Sequence, residues 1–172
     1  MKKYFGVALA FVLMMGSAVM ASAQKANPVS EYMEQLNPIA DILIKATNLY
    51  SALEIDDPEN ACKVLQTQVI PMHEDYVTKL FALTDKIKDE KVKDAHAIMM
   101  GAAELQLQGY QMMLQAFQEI DPEDTASFYE VFQGAQVIMV ESMAKADEFV
   151  NVITALTKEF DPEDPEPFLK TQ

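Results

Sequence analysis

The sequence predicts an all-α protein, an antiparallel up-down-up-down four-helix bundle that follows a cleaved signal peptide. Good helix formers dominate the chain, and only Gly101, Gly109 and Gly134 remain as glycines after the first 23 residues. No Asn-Gly or Asp-Gly hairpin turn occurs in the sequence. Apolar residues recur at spacings of three and four in four long segments. Short links between these segments favour antiparallel packing of neighbouring helices.

The N-terminus has the three parts of a secretory signal peptide. A basic start at residues 1–3 precedes an uncharged apolar run over residues 4–20. The small-x-small sequence at residues 21–23 then offers a cleavage site after Ala23. We therefore expect the mature protein in the periplasm or outside the cell, with no transmembrane segment after cleavage.

The remaining chain is predicted to form one domain with a short tail. We divide the sequence into a signal peptide at 1–23, a four-helix bundle at 24–160 and an acidic, proline-rich tail at 161–172. The formal net charge is −14, and all basic residues other than the histidines are lysine. This balance excludes the basic footprint that nucleic-acid binding requires. It favours a basic or envelope protein as the partner.

The first two helices are predicted over residues 30–55 and 58–87. Pro38 is expected to bend the first helix or to restart it, and Pro71 to bend the second, because proline lacks the N–H that an inner helical turn uses. Their predicted inward-facing residues are Met33, Leu36, Ile39, Leu43, Ala46, Tyr50 and Leu53, followed by Ala61, Leu65, Val69, Met72, Tyr76, Leu80, Leu83 and Ile87.

The last two helices are predicted over residues 89–119 and 122–159. The three glycines of the mature chain fall inside them, and we expect these glycines to allow close helix contact or to leave space for a ligand. The predicted inward-facing residues are Val92, Met99, Ala102, Leu105, Met112, Ala116 and Ile120, followed by Phe128, Phe132, Ala135, Met139, Met143, Ala146, Val150, Ile153 and Leu156.

A short acidic pattern recurs at three predicted helix boundaries. It reads EIDDPE at 54–59, EIDPED at 119–124 and EFDPED at 159–164. Aspartate caps helices and proline fits the first helical turn, so capping is the favoured interpretation. The first two copies gather at one pole of the predicted bundle, where carboxylates are also able to hold Ca²⁺, although no D-x-D-x-D-G loop fixes such a site. The calcium candidates are Asp56, Asp57, Glu59, Asp121, Glu123 and Asp124.

Both histidines, His73 and His96, lie on or beside apolar stripes. In the hairpin of the second and third helices they are about 12 Å apart along the axis, at 1.5 Å per residue. That separation is too large for one zinc ion. His73 falls level with Glu104, and we predict a buried, hydrogen-bonded His–Glu pair there in preference to a metal site.

Methionine and histidine together offer further candidates for ligand binding. Clustered Met and His side chains bind Cu(I), but methionine on helix stripes also makes an adaptable apolar core, which is the interpretation we favour. No resident cofactor is predicted. The candidate ligand-binding residues are Met72, His73, Glu104, His96, Met99 and Met100.

The sequence lacks the signatures of the usual bundle cofactors and of nucleophilic enzymes. Neither histidine belongs to a Glu-x-x-His pair, and G-x-S-x-G is absent. The single Cys62 excludes a C-x-x-C-H haem motif, and it is expected either to be buried, which we favour, or to form a disulfide with a second chain. The favoured function is therefore a non-enzymatic, exported bundle that acts through protein–protein interaction, as an adaptor, inhibitor or chaperone-like protein. The alternative is a periplasmic carrier of a metal, haem or an apolar ligand in the bundle core.

Overall fold

A computed structural model of the chain describes residues 27–54, 57–119 and 125–161. Within these ranges the fold is all-helical and four helices pack together, as the sequence predicts. The predicted signal peptide, and the predicted tail apart from Asp161, lie outside the described residues. The helices are α1 (Pro28–Ser51), α2 (α-helical over Pro58–Val64, π-helical over Leu65–Val69 and α-helical over Ile70–Thr84), α3 (Glu90–Gln118) and α4 (Thr125–Phe160).

Polar side chains cap the first turns of α1, α2 and α3. The Asn27 side chain accepts a hydrogen bond from the Ser30 amide at 2.8 Å. Asp57 and Asp89 accept from amides three residues later, each at 3.1 Å. Each of these bonds satisfies a backbone N–H that has no partner inside its helix. The Asp-Pro pattern thus caps a helix at Asp57, whereas Asp121 lies outside the described residues.

The two inner prolines have different effects on their helices. Helix α1 continues through Pro38 without interruption, so the predicted restart does not occur. In α2 the backbone widens into a π-helical stretch, Leu65–Val69, immediately before Ile70 and Pro71. Proline removes one backbone donor and crowds the preceding turn, and a local change in hydrogen-bond spacing relieves both effects. The π-helical turn lies next to Pro71, where the sequence predicts a bend in the helix axis.

Two apolar clusters form the core. The rings of Tyr76 in the first cluster and Tyr110 in the second each lie 5.3 Å, centroid to centroid, from the His73 ring. His73 thus stands where the clusters meet. The first cluster includes Tyr32, Leu36, Leu43, Leu80, Met99, Phe149 and Ile153, and the second includes Leu53, Leu65, Val69, Met113, Phe117 and Phe128.

Helix α4 packs mainly against α3 and only lightly against α1. A Cβ atom at Gly109 would lie 2.6 Å from the Met139 sulfur, so glycine permits the close approach of α3 and α4 there. Gly134 is also tight, because its Cβ would lie 3.1 Å from the Met112 methyl group. At Gly101 the nearest side-chain atom is 3.6 Å away, which is ordinary contact. Close packing therefore explains two of the three glycines.

Candidate functional site

His96 is a fully bonded structural histidine that ties three helices together. Its Nε2 lies 3.1 Å from the Leu80 carbonyl oxygen on α2, and its Nδ1 lies 3.1 Å from the Tyr32 hydroxyl on α1. Since a carbonyl only accepts, Nε2 carries the proton and Nδ1 accepts from Tyr32. The Thr84 hydroxyl lies 3.2 Å from Nε2 and completes the set. Burial, only partly offset by the bond to Leu80, lowers the pKa of His96.

His73 is equally buried but only half bonded. Its Nε2 donates to the Ala103 carbonyl oxygen on α3 at 2.9 Å. Nδ1 is then unprotonated and is able only to accept a hydrogen bond. Nδ1 has no hydrogen-bond partner among the described residues. Burial lowers the pKa of His73 to about 4, and the bond to Ala103 offsets this shift only in part. His73 is therefore neutral at physiological pH.

The predicted His73–Glu104 pair is wrong. His73 is buried at the predicted level of α3, but its partner is the backbone carbonyl of Ala103, while Glu104 is exposed to solvent. Adjacent helical residues point about 100° apart, so the carboxylate of Glu104 stays hydrated while the backbone of Ala103 faces His73. Burying a charged carboxylate would require a much larger desolvation free energy than burying a neutral carbonyl oxygen.

Among the methionine candidates, Met100 shares a hydrogen-bonding neighbour with His96, because the Thr84 hydroxyl also lies 3.2 Å from His96 Nε2. Met99 is buried in the first apolar cluster, and half-buried Met100 accepts a weak hydrogen bond from the Thr84 hydroxyl at 3.5 Å. Met72 is half-buried. Cys62 is also half-buried, at the edge of the second cluster, so the full burial predicted for it does not occur. These contacts are those of core side chains.

The acidic candidates for calcium binding are only partly described. Asp57 and Glu59 are exposed at the start of α2, and Asp57 serves as its cap. In the part of the chain that the structure covers, no group of three or more His, Cys, Asp or Glu side chains is placed to hold a metal ion. Asp56, Asp121, Glu123 and Asp124 lie outside the described residues.

The outer face of α4 carries an uncharged stripe that the sequence analysis did not single out. Its large apolar members are Tyr129, Val137 and Val140, which are 50%, 59% and 60% exposed. Phe81 on α2 is the other large apolar side chain that is strongly exposed among the described residues. The spacing of three and four puts all stripe members on one helix face. We call this surface the α4 stripe: Ala126, Tyr129, Gln133, Val137, Val140 and Ala144, all exposed.

A row of carboxylates borders the α4 stripe on one side. Glu130, Glu141 and Glu148 are all exposed and share a face, because they are separated by eleven and seven residues, close to whole helical turns. We call them the acidic row. The arrangement combines exposed apolar area with a parallel line of negative charge. Chemically, it is suited to bind an apolar surface that carries positive charge along its edge.

Three interior residues of α3, two of them polar, were also missed from sequence. The stripe predicted for α3 ran through Leu105 and Met112, both half-buried, whereas Gln106, Tyr110 and Met113 face the core. Gln106 donates to the Tyr110 hydroxyl at 3.0 Å, and this bond makes its burial tolerable. Burial raises the pKa of Tyr110 to about 12.

Comparisons with known proteins do not assign a family or a function to this arrangement of residues. None of the described helices is long and apolar enough to cross a membrane. No known protein family, curated protein or solved structure matches the chain.

Proposed function

We propose that the protein is an exported, non-enzymatic helical bundle that binds a basic amphipathic helix of another protein on the α4 stripe. The observation that carries this proposal is the exposure of Tyr129, Val137 and Val140 on one face of α4, beside the acidic row. Exposed apolar side chains in one contiguous patch mark interaction surfaces more often than singly scattered ones do. An adaptor, inhibitor or chaperone-like role fits such a surface.

The dimensions of the α4 stripe fit a single helix. From Ala126 to Ala144 the stripe is about 27 Å long at 1.5 Å per residue, and a helix is about 10 Å wide. The resulting area of about 300 Å² is well below the roughly 800 Å² that each partner buries in a standard stable interface. A docked helix in a transient complex, with apolar anchors at the usual spacings, suits this area.

Charge selects the partner. The full chain has a net charge of −14, and the acidic row lies directly beside the stripe. A second copy of the protein would bring its own acidic row against the first, which like-charge repulsion disfavours. The predicted tail is acidic too. A helix whose apolar face is flanked by lysine or arginine would instead pair with Glu130, Glu141 and Glu148.

The proposal is tested with two synthetic peptides of about 18 residues. One is a helix with a leucine face flanked by lysines, and the other has every lysine replaced by glutamate. By fluorescence anisotropy the basic peptide should bind the wild-type protein and the acidic peptide should not. Val137→Lys should weaken binding at least about tenfold, because it removes apolar contact and repels the peptide. Glu141→Gln should weaken binding a few-fold and reduce its dependence on salt.

Ala82→Lys is the matched control, because Ala82 is an exposed position on α2 and the same charge is added there. It should leave the affinity within about twofold, since only a general charge effect remains. Equal binding of both peptides, or equal affinity of Val137→Lys and wild type, would contradict the proposal. A dimer seen by sedimentation equilibrium and lost in Val137→Lys would assign the stripe to a second copy instead.

We also propose that the four helices alternate in direction, as the sequence predicts. The support is the order of contacts between α3 and α4. Lys91 pairs with Glu159, the Ala102 carbonyl accepts from Ser142, and Gly134 lies against Met112. As the residue number increases along α3, the residue number of its contact on α4 decreases. An experimental structure in which α3 and α4 run in the same direction would refute this topology.

Export is the remaining part of the proposal, and it rests on the signal-peptide pattern of residues 1–23. N-terminal sequencing of the protein purified from its native host should find Gln24 as the first residue. An intact Met1 on the functional protein would contradict cleavage and leave the apolar run in place.

A further inference from the structure

The interior around His73 contains polar atoms whose hydrogen-bonding capacity is unused. Among the described residues, His73 Nδ1, Tyr76 Oη and Gln106 Oε1 are fully buried and have no hydrogen-bond partner. The side chains are neighbours: the His73 ring lies 5.3 Å from each of the Tyr76 and Tyr110 rings, and Gln106 bonds to the Tyr110 hydroxyl. Buried polar groups of this kind are almost always paired, with protein or with ordered water.

His96 shows what a satisfied histidine looks like in this fold. Both histidines donate a hydrogen bond from Nε2 to a backbone carbonyl oxygen. The acceptor is Leu80 for His96 and Ala103 for His73. At His96 the bare Nδ1 accepts from the Tyr32 hydroxyl. At His73 a tyrosine is also adjacent, yet the Tyr76 hydroxyl does not bond to Nδ1. The two histidines therefore differ at Nδ1, which accepts a hydrogen bond in His96 and has no partner among the described residues in His73.

We infer that a water molecule occupies a specific internal site beside His73, where it donates to Nδ1 and also bonds to the Tyr76 hydroxyl. The chemistry of the three atoms defines the ligand class. Nδ1 and Gln106 Oε1 are pure acceptors, and the Tyr76 hydroxyl both donates and accepts, so the occupant must donate hydrogen bonds. An anion does not meet this requirement, and the described residues contain no group of three or more His, Cys, Asp or Glu side chains that is placed to hold a metal ion.

The three side chains are closed off from bulk solvent. His73 and Tyr76 are both 0% exposed, and Gln106 is 5% exposed. Internal waters in proteins make two to four hydrogen bonds to otherwise unpaired buried groups, and this site supplies that number. Since His73 and Tyr76 both lie on α2, a third bond from the water to Gln106 Oε1 would link α2 to α3 at the level where the two apolar clusters meet.

The sign of one stability change tests the inference. With the water present, Tyr76→Phe removes a hydrogen bond and should lower the folding equilibrium constant about fivefold. With a dry site, the same change removes an unpaired buried hydroxyl and should raise that constant. Urea unfolding measures it. The control Tyr129→Phe removes the same atom from a half-exposed ring and should change stability little.

A high-resolution crystal structure grown without ammonium salts provides the direct measurement. We expect a density peak within about 2.7–3.2 Å of both His73 Nδ1 and Tyr76 Oη. A direct bond between Tyr76 and His73, or no peak at that position, would overturn the inference. Stabilisation by ammonium chloride beyond that by sodium chloride would assign the site to an ammonium ion, which is also a small donor, and would likewise overturn it.

Discussion

The free energy of unfolding should fall by roughly 3 kcal/mol as the pH is lowered from 6.5 to 4, owing to His73 alone. Burial holds its pKa at about 4 in the folded protein, against 6.5 when unfolded. Below pH 6.5 the unfolded chain therefore binds a proton that the folded protein does not, and stability declines by about 1.4 kcal/mol per pH unit. The decline should level off below about pH 4, where the folded protein also takes up the proton.

His73→Gln isolates this effect, because glutamine keeps a donor near the position of Nε2 but does not titrate. Urea unfolding curves of both proteins at several pH values give the difference, which removes the shared contribution of the many carboxylates. We expect the wild type to lose stability relative to the variant across this window. A constant difference between pH 6.5 and 4 would show that His73 is not buried in its neutral form. His96, whose pKa is also lowered by burial, should contribute a slope of the same sign in both proteins.

Tyr32→Phe should destabilise the protein by about 1–3 kcal/mol, although it removes only one oxygen atom. The Tyr32 hydroxyl is the donor to His96 Nδ1, at 3.1 Å, and His96 is 1% exposed. Without that donor the ring nitrogen is buried and unpaired, which costs its desolvation in full. The measurement is equilibrium unfolding in urea at pH 7, where the histidine is neutral.

A double-mutant cycle separates this bond from packing at Tyr32. In the His96→Leu background the hydroxyl has lost its partner, so Tyr32→Phe should be neutral or stabilising. The same destabilisation in both backgrounds would mean that the loss comes from packing of the ring and not from the hydrogen bond to His96.

Periodicity and helix caps were sufficient to predict the helices and much of the core. Leu36, Leu65 and Ala102 face inward as predicted, because in these segments one apolar stripe dominates at a spacing of three and four. The level at which His73 meets α3 was also predictable, since rise per residue fixes the register of a helical hairpin. The all-α fold followed from these local signals.

Side-chain positions and partners were less predictable, because hydrophobicity misassigned one residue of α3 and helix register misassigned another. Leu105 is more apolar than Gln106 and was assigned to the core, yet Gln106 is buried because the Tyr110 hydroxyl accepts its amide proton. Glu104 was predicted to bond to His73, but the Ala103 backbone carbonyl is the acceptor. A carbonyl oxygen is buried at a lower free-energy cost than a charged carboxylate. Every residue has a backbone carbonyl, so the sequence does not show which one will accept a hydrogen bond from a side chain.

The α4 stripe could have been found from sequence but was not. Val137 and Val140 lie off the stripe that runs through Ala135 and Ala146, and apolar residues on the outer side of an amphipathic helix are a signal in themselves. Their significance depends on knowing that no other described helix covers them, which required the arrangement of α4 against α3.

Residue-level mapping of peptide binding tests the central claim most directly. Backbone amide spectra of the labelled protein, titrated with the basic amphipathic peptide, should show their largest shift changes at Gln133, Val137 and Val140. Residues around Phe81 on α2 should be unaffected. Saturable binding whose shift changes centre on another face of the bundle, or no change on α4 at peptide saturation, would contradict the proposal that the α4 stripe is the binding surface.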